Sequence, residues 1–147
     1  MPDSADRLCL ADLSFLGEGL SRPECLLCTS NGDIYSADWR GGVALTRADG
    51  SQRLFQAPGG AETVKPNGIA LQRDGSFLVT DLADSGGVFR LGRDGSFSEV
   101  LRRVDGIDLP ATNFALIDAE ERIWVTVSTL QSPRALGYRQ DVADGFI

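Results

Sequence analysis

Glu24, Asn67 and Asn113 are the residues whose types and spacing point to chemistry. Glu24 lies in "RPEC" at 22–25 and Asn67 in "KPNG" at 65–68; each stretch leads into an apolar run, a turn signal and a second apolar run. Asn113 opens a third stretch of this kind, "TNFALIDAEERIWVTVST". A carboxylate beside two amides is an oxygen donor set of low total charge, which a hard divalent cation prefers. Such a cation needs some anionic charge but gains little from a ring of mutually repelling carboxylates, so a Glu-for-Asn exchange at matched positions has a physical reason. Calcium fits first, with magnesium, manganese and zinc as alternatives, because oxygen ligands suit several cations. Asn-Gly after proline is also ordinary turn chemistry, and a purely structural role stays open on spacing alone.

Composition narrows the alternatives. The 147 residues contain no histidine, which excludes Ser-His-Asp and Cys-His nucleophilic sites, HExxH zinc sites and any imidazole base. The formal charge is −7, Lys65 is the sole lysine, and basic residues form no cluster. A nucleic-acid surface or an anionic-membrane patch is therefore not expected. The sequence has no basic leader followed by a long apolar stretch, and no apolar run near the roughly 20 residues of a membrane helix. These features predict a cytoplasmic location, where Cys9, Cys25 and Cys28 stay reduced.

The elements that must position the three residues form a repeat. Pro23 and Pro66, Gly32 and Gly75, and Asp38 and Asp81 are each 43 residues apart; Gly42 and Gly87, and Gly50 and Gly95, are each 45 apart. A weaker third copy places Asn113 on Asn67 and Thr126 on Thr80, both at 46. The runs "CLLC", "IYSAD", "GIALQ", "FLVTD", "FALI" and "IWVTV" read as strands. Asn31-Gly32 and Asp74-Gly75 between them predict two-residue hairpin turns. Asp49-Gly50 and Asp94-Gly95 repeat that signal, so each unit is four antiparallel strands, the size of a propeller blade.

The predicted fold is all-β, a partial β-propeller of about three blades. Residues 1–21 read as a closing strand and loop, 22–64 as blade 1, 65–108 as blade 2 and 109–147 as an incomplete blade 3. Propellers close with about four to eight blades, so the sequence reads either as a truncated product or as a half-propeller that forms a homodimer with a second copy. Because inner strands line the channel, Glu24, Asn67 and Asn113, each at the start of a first strand, converge on its axis.

"ECLLCTSNGDIYSAD", "KPNGIALQRDGSFLVTD" and "TNFALIDAEERIWVTVST" resemble the first three blades of the gluconolactonase / senescence-marker-protein / luciferin-regenerating-enzyme-like family of six-bladed propellers. The resemblance covers nearly the whole sequence but about half of a family member. It implies a divalent-metal-dependent hydrolase of sugar lactones or related small esters. Carried over, it makes Glu24 a metal ligand, Asn113 a ligand or substrate contact, and Asn67 a cavity-lining substrate contact. The family's acid–base carboxylate and a further Asn ligand come from blades beyond residue 147, so no catalytic residue is assigned here. A non-catalytic propeller that serves as a binding scaffold is the alternative, since fold alone does not set function.

Other features have plainer readings. Glu18 in "GEGL" competes for the blade-one role, but it stands 20 residues before Asp38 where Glu24 stands 14 before, the family's interval; it reads as a surface residue. Cys25 and Cys28 point to opposite faces of a strand and read as packed, reduced core residues rather than a metal pair. Asp38 and Asp81 recur at second-strand ends and read as acceptors for backbone N–H groups. Trp39 and Trp124 read as inter-blade packing, and Ser128 and Thr129 as pocket-edge residues with nothing to activate them as nucleophiles.

Overall fold

Runs of branched and aromatic residues, apolar on both faces, cannot stand as an isolated sheet; they are stable only between other sheets. A computed structural model, which describes residues 8–147, shows that solution. Strands β1 (Leu26–Cys28), β2 (Ile34–Asp38), β3 (Gly42–Thr46) and β4 (Gln52–Gln56) form one antiparallel sheet in sequential order. Strands β5 (Pro66–Leu71), β6 (Phe77–Asp81), β7 (Val88–Leu91) and β8 (Phe97–Leu101) form a second. A small hairpin, β9 (Arg103–Val104) with β10 (Ile107–Asp108), leads to a two-stranded sheet of β11 (Thr112–Ile117) and β12 (Ile123–Val127). Val127 also forms an isolated antiparallel bridge with Phe146. These are two complete blades and the inner half of a third.

The core lies between the blades. Tyr35, Val43, Leu45 and Phe55 of the first sheet meet Ile69, Phe77, Val79 and Leu91 of the second. The Phe77 ring stands 5.3 Å from Tyr35 and 5.8 Å from Phe55, tilted as aromatic pairs prefer. The Arg93 guanidinium caps this cluster, donating to the Tyr35 hydroxyl at 2.9 Å and to the Gly75 carbonyl at 2.8 Å. A smaller cluster of Ala70, Leu78 and Val88 receives Ile117 and Val125 of the third sheet. The inner strands are neighbours in the order β1, β5, β11.

The structure corrects four expectations. First, the Gly-containing turns are not two-residue hairpins. Thr29 N–H bonds the Asp33 carbonyl and Gly32 N–H bonds that of Thr29, a three-residue loop with a type I turn and a left-handed third residue. The same pattern closes 47–51, 72–76, 92–96 and 118–122. Only one residue per turn then needs positive φ: Gly32, Gly50, Gly75 and Gly95 supply it at 81–86°, and Glu121 supplies it at 64°. Second, the described part of the expected closing strand is not a strand. Leu10–Asp12 make one 3-10 turn, and Leu8, Leu13 and Phe15 stay exposed; residues 1–7 lie outside the described residues. Third, Cys25 is buried but Cys28 is exposed, because β1 shows one face to the core and the other to solvent. Fourth, Trp124 is not in an inter-blade core: it is 47% exposed beside Phe114 and Leu116 on the face turned away from blade 2.

Candidate functional site

Strand register decides whether the three residues are equivalent. Leu26 pairs with Ser36, Ile69 with Val79 and Ala115 with Val125. Glu24, Asn67 and Asn113 each lie two residues before the first member of these pairs, at the same end of adjacent inner strands. Ladder irregularities fall at two of the three positions: the register shifts between Pro66 and Ile69, and between Thr112 and Phe114. Bulges re-aim side chains and are over-represented beside active sites. Nothing in residue type announced them.

Buried aspartates hold the strand entries. Asp38, fully buried at the end of β2, accepts the Ser21 N–H at 3.2 Å and the Arg40 N–H at 2.9 Å, and is gripped by the Arg40 side chain at 2.9 and 2.7 Å. Trp39 N–H returns a bond to the Ser21 carbonyl at 2.8 Å. Blade 2 repeats the latch: Asp81 accepts the Lys65 and Ala83 N–H groups, each at 3.0 Å, while Leu82 N–H bonds the Lys65 carbonyl. Burial alone would push the Asp38 carboxyl up, but the Arg40 side chain and the two backbone donors outweigh it and hold it below the ordinary value. The recurrent aspartates are thus structural acceptors, as their recurrence implied.

Asn67 and Asn113 come together. The Asn67 amide donates from Nδ2 to the Asn113 carbonyl at 3.0 Å and to Asn113 Oδ1 at 3.3 Å. Asn113 donates in turn from Nδ2 to Ser128 Oγ at 2.9 Å. Thr80 Oγ1 accepts the Gly68 N–H at 2.7 Å and donates to the Asn113 carbonyl at 2.9 Å. Gly68 makes this approach feasible: a Cβ there would lie 2.6 Å from the Phe114 Cα and 2.9 Å from Thr80 Oγ1. Asn67 is 5% exposed, and its Oδ1 is buried without a hydrogen-bond donor. Leaving such an acceptor unpaired costs about 1–3 kcal/mol.

Glu24 stands apart from that pair. It precedes β1, is exposed, and takes the Arg22 Nε–H on Oε1 at 2.6 Å. The Arg22 guanidinium also lies over the Trp39 indole, 4.1 Å from the ring centroid, with Lys65 Nζ 5.7 Å from the same centroid. Arg22 has φ 49, a left-handed conformation that costs a non-glycine residue roughly 1–2 kcal/mol. Sequence reasoning passed over Arg22, although the basic residue before each proline was visible in the repeat. Glu18 is exposed, its N–H bonded to Gln52 Oε1 at 2.9 Å.

The oxygen groups at this end of the inner strands are of the hard-donor type that suits a divalent cation: the buried Asn67 Oδ1 without a donor, the Asn113 Oδ1 that accepts from Asn67, and, apart from them, the exposed Glu24 carboxylate paired with Arg22. Among the described residues no three or more Asp, Glu, His and Cys side chains gather to hold a metal, so amide oxygens would supply much of any such shell. A cleft of about 430 Å³ lined by Arg73, Asp74, Asp118 and Glu121 lies at the opposite end of β5 and β11. Cys25 is no ligand: burial pushes its thiol up, and Sγ donates to the Ile69 carbonyl at 3.6 Å.

Solved structures share this architecture. A gluconolactonase of Xanthomonas campestris matches with a TM-score of 0.63 and 19% identity over 87% of this chain and 41% of its own. A catalytically inactive virginiamycin B lyase of Staphylococcus aureus, solved with quinupristin, matches with a TM-score of 0.59 and 17% identity over 78% of this chain and 37% of its own. A streptogramin B lyase matches at 0.55 and 21%, over 71% and 33%. At these identities the likeness establishes the fold, an all-β propeller, and the chain spans less than half the length of each structure. The gluconolactonase resemblance read from the sequence meets a gluconolactonase among these fold matches. No protein-family model matches the sequence, and no curated protein matches it significantly.

Proposed function

We propose that this chain is part of a divalent-metal-dependent hydrolase of sugar lactones or related small esters. The observation that carries the reading is the buried Asn67 Oδ1 without a donor, held beside Asn113 at the bulged mouth of adjacent inner strands. Glu24 and Asn113 would hold the cation, calcium first, and Asn67 and Asn113 would meet the substrate. The cation would supply Lewis acidity toward the lactone or ester carbonyl. This chain's own contribution is orientation: Asn67 fixes Asn113 through its amide, and Ser128 takes the far end of the Asn113 side chain. Asp38 and Asp81 are committed to their latches; the acid–base carboxylate would come, as the family resemblance implies, from later blades. The exposed Glu24, already paired with Arg22, favours one alternative, a binding scaffold whose inner-strand residues serve structure.

Thermal-shift titration with calcium, magnesium, manganese and zinc distinguishes the two. A cation site gives saturable stabilisation, about 2.7 kcal/mol at a hundred times Kd, and Glu24→Gln abolishes it. No saturable shift with any cation leaves the scaffold.

A further inference from the structure

Blade 1 carries one residue more than blade 2 between the latch and the strand. From the latched Ser21 to Leu26 is five steps, whereas from the latched Lys65 to Ile69, at the same register, is four. The surplus is absorbed around Arg22: its φ is 49, and the Glu24 N–H turns back onto the Arg22 carbonyl at 3.0 Å. Strained backbone of this kind persists where the surroundings hold it, and it clusters at functional sites. Here it folds the Arg22 side chain back onto the one carboxylate of the inner-strand set, with the Trp39 indole beneath the guanidinium. Blade 2 has neutral Asn67 in place of Glu24, and its latched Lys65 makes no ion pair among the described residues.

We propose that Arg22 is a resident counter-ion for Glu24 that a divalent cation must displace, with Trp39 as the platform that keeps the released guanidinium at the channel mouth. This inference rests on the reading of Glu24 as a cation ligand. The contact is a single Nε–H bond between half-exposed side chains, so it is weak enough to open. A guanidinium held nearby also repels the incoming cation. Removing both effects should tighten binding on the order of ten-fold.

The test is calcium and manganese titration, by calorimetry, of the 147-residue chain and of its R22Q, R22K, E24Q and R22Q/E24Q variants. The expected result is a Kd about ten-fold lower for R22Q than for the unmodified chain, little change for R22K, and no gain in R22Q/E24Q. Binding seen in R22Q alone would be the strongest support. An equal Kd for R22Q and the unmodified chain, with binding lost in E24Q, overturns the role of Arg22 and leaves the cation site standing. A gain that survives in R22Q/E24Q also overturns it, because the effect is then general charge rather than the pair. No binding in any variant overturns both readings.

Discussion

The side chains around the entries of the inner strands divide by what already satisfies them. Asp38 is saturated by four donor contacts, whereas Asn67 Oδ1 has none. Saturation makes Asp38 a stability residue. Asp38→Ala should cost about 2–4 kcal/mol by leaving the Ser21 and Arg40 N–H groups without their acceptor, a fall in Tm of roughly 5–15 °C in a scanning-calorimetry trace. The pH dependence follows from the lowered carboxyl pKa. Its stabilisation is complete above the unfolded value, near 4, and is lost as pH falls through the folded value. Asp49, Asp74 and Asp94 are lowered too, chiefly by the Ser51, Ser76 and Ser96 hydroxyls that follow each turn glycine. Urea midpoints measured downward from pH 5 should decline, and more shallowly in Asp38→Ala. At this scale the aspartates were legible because they recur. The orphaned amide oxygen was not, since it depends on where Gly68 lets β11 sit.

The elements follow hydrophobic pattern and turn residues closely, except where one residue is added. Asn-Gly and Asp-Gly serve two-residue and three-residue loops equally well, so the sequence marked the turns but not their length. The observed loop needs one left-handed residue, and Glu121 fills that place where four other turns use glycine. Glu121→Gly should therefore raise stability by about 1 kcal/mol, read as a higher urea midpoint at unchanged slope. Its exposed pair with Arg73 offsets little of that. The bulges holding Asn67 and Asn113 are likewise single added residues with no compositional mark. Gly68→Ala tests the close approach they depend on: it should destabilise by about 1–3 kcal/mol and separate β5 from β11. Equal stability would mean that the inner strands are not held as tightly as the glycine implies.

Across the whole molecule, blade-to-blade burial accounts for what the strand pattern alone left open. Both interfaces between successive blades are closed by apolar clusters, while Phe114, Leu116 and Trp124 face outward from the last. The repeat predicted Trp124 as inter-blade packing, and its sheet does carry such a surface, with no described residue covering it. Trp39 is half-buried under Arg22. Trp124→Phe should therefore remove most of the acrylamide-quenchable tryptophan emission, and Trp39→Phe much less. Among the described residues no helix is long and apolar enough to cross a membrane. The propeller frame and the matched strand positions of Glu24, Asn67 and Asn113 were readable as a period. The pairing of Glu24 with Arg22 was not, because an added residue changes where a side chain points without changing the repeat.

The proposed cation would be held by Glu24 and Asn113, with Asn67 beside Asn113. The most direct measurement is paramagnetic broadening by manganese in nitrogen-15 NMR spectra of the 15.7 kDa chain. Substoichiometric manganese should first broaden the side-chain amides of Asn67 and Asn113 and the backbone amides of Glu24 and Cys25, with excess calcium restoring them. Broadening confined to the Asp74, Asp118 and Glu121 cleft, or spread evenly over exposed carboxylates, would contradict the account.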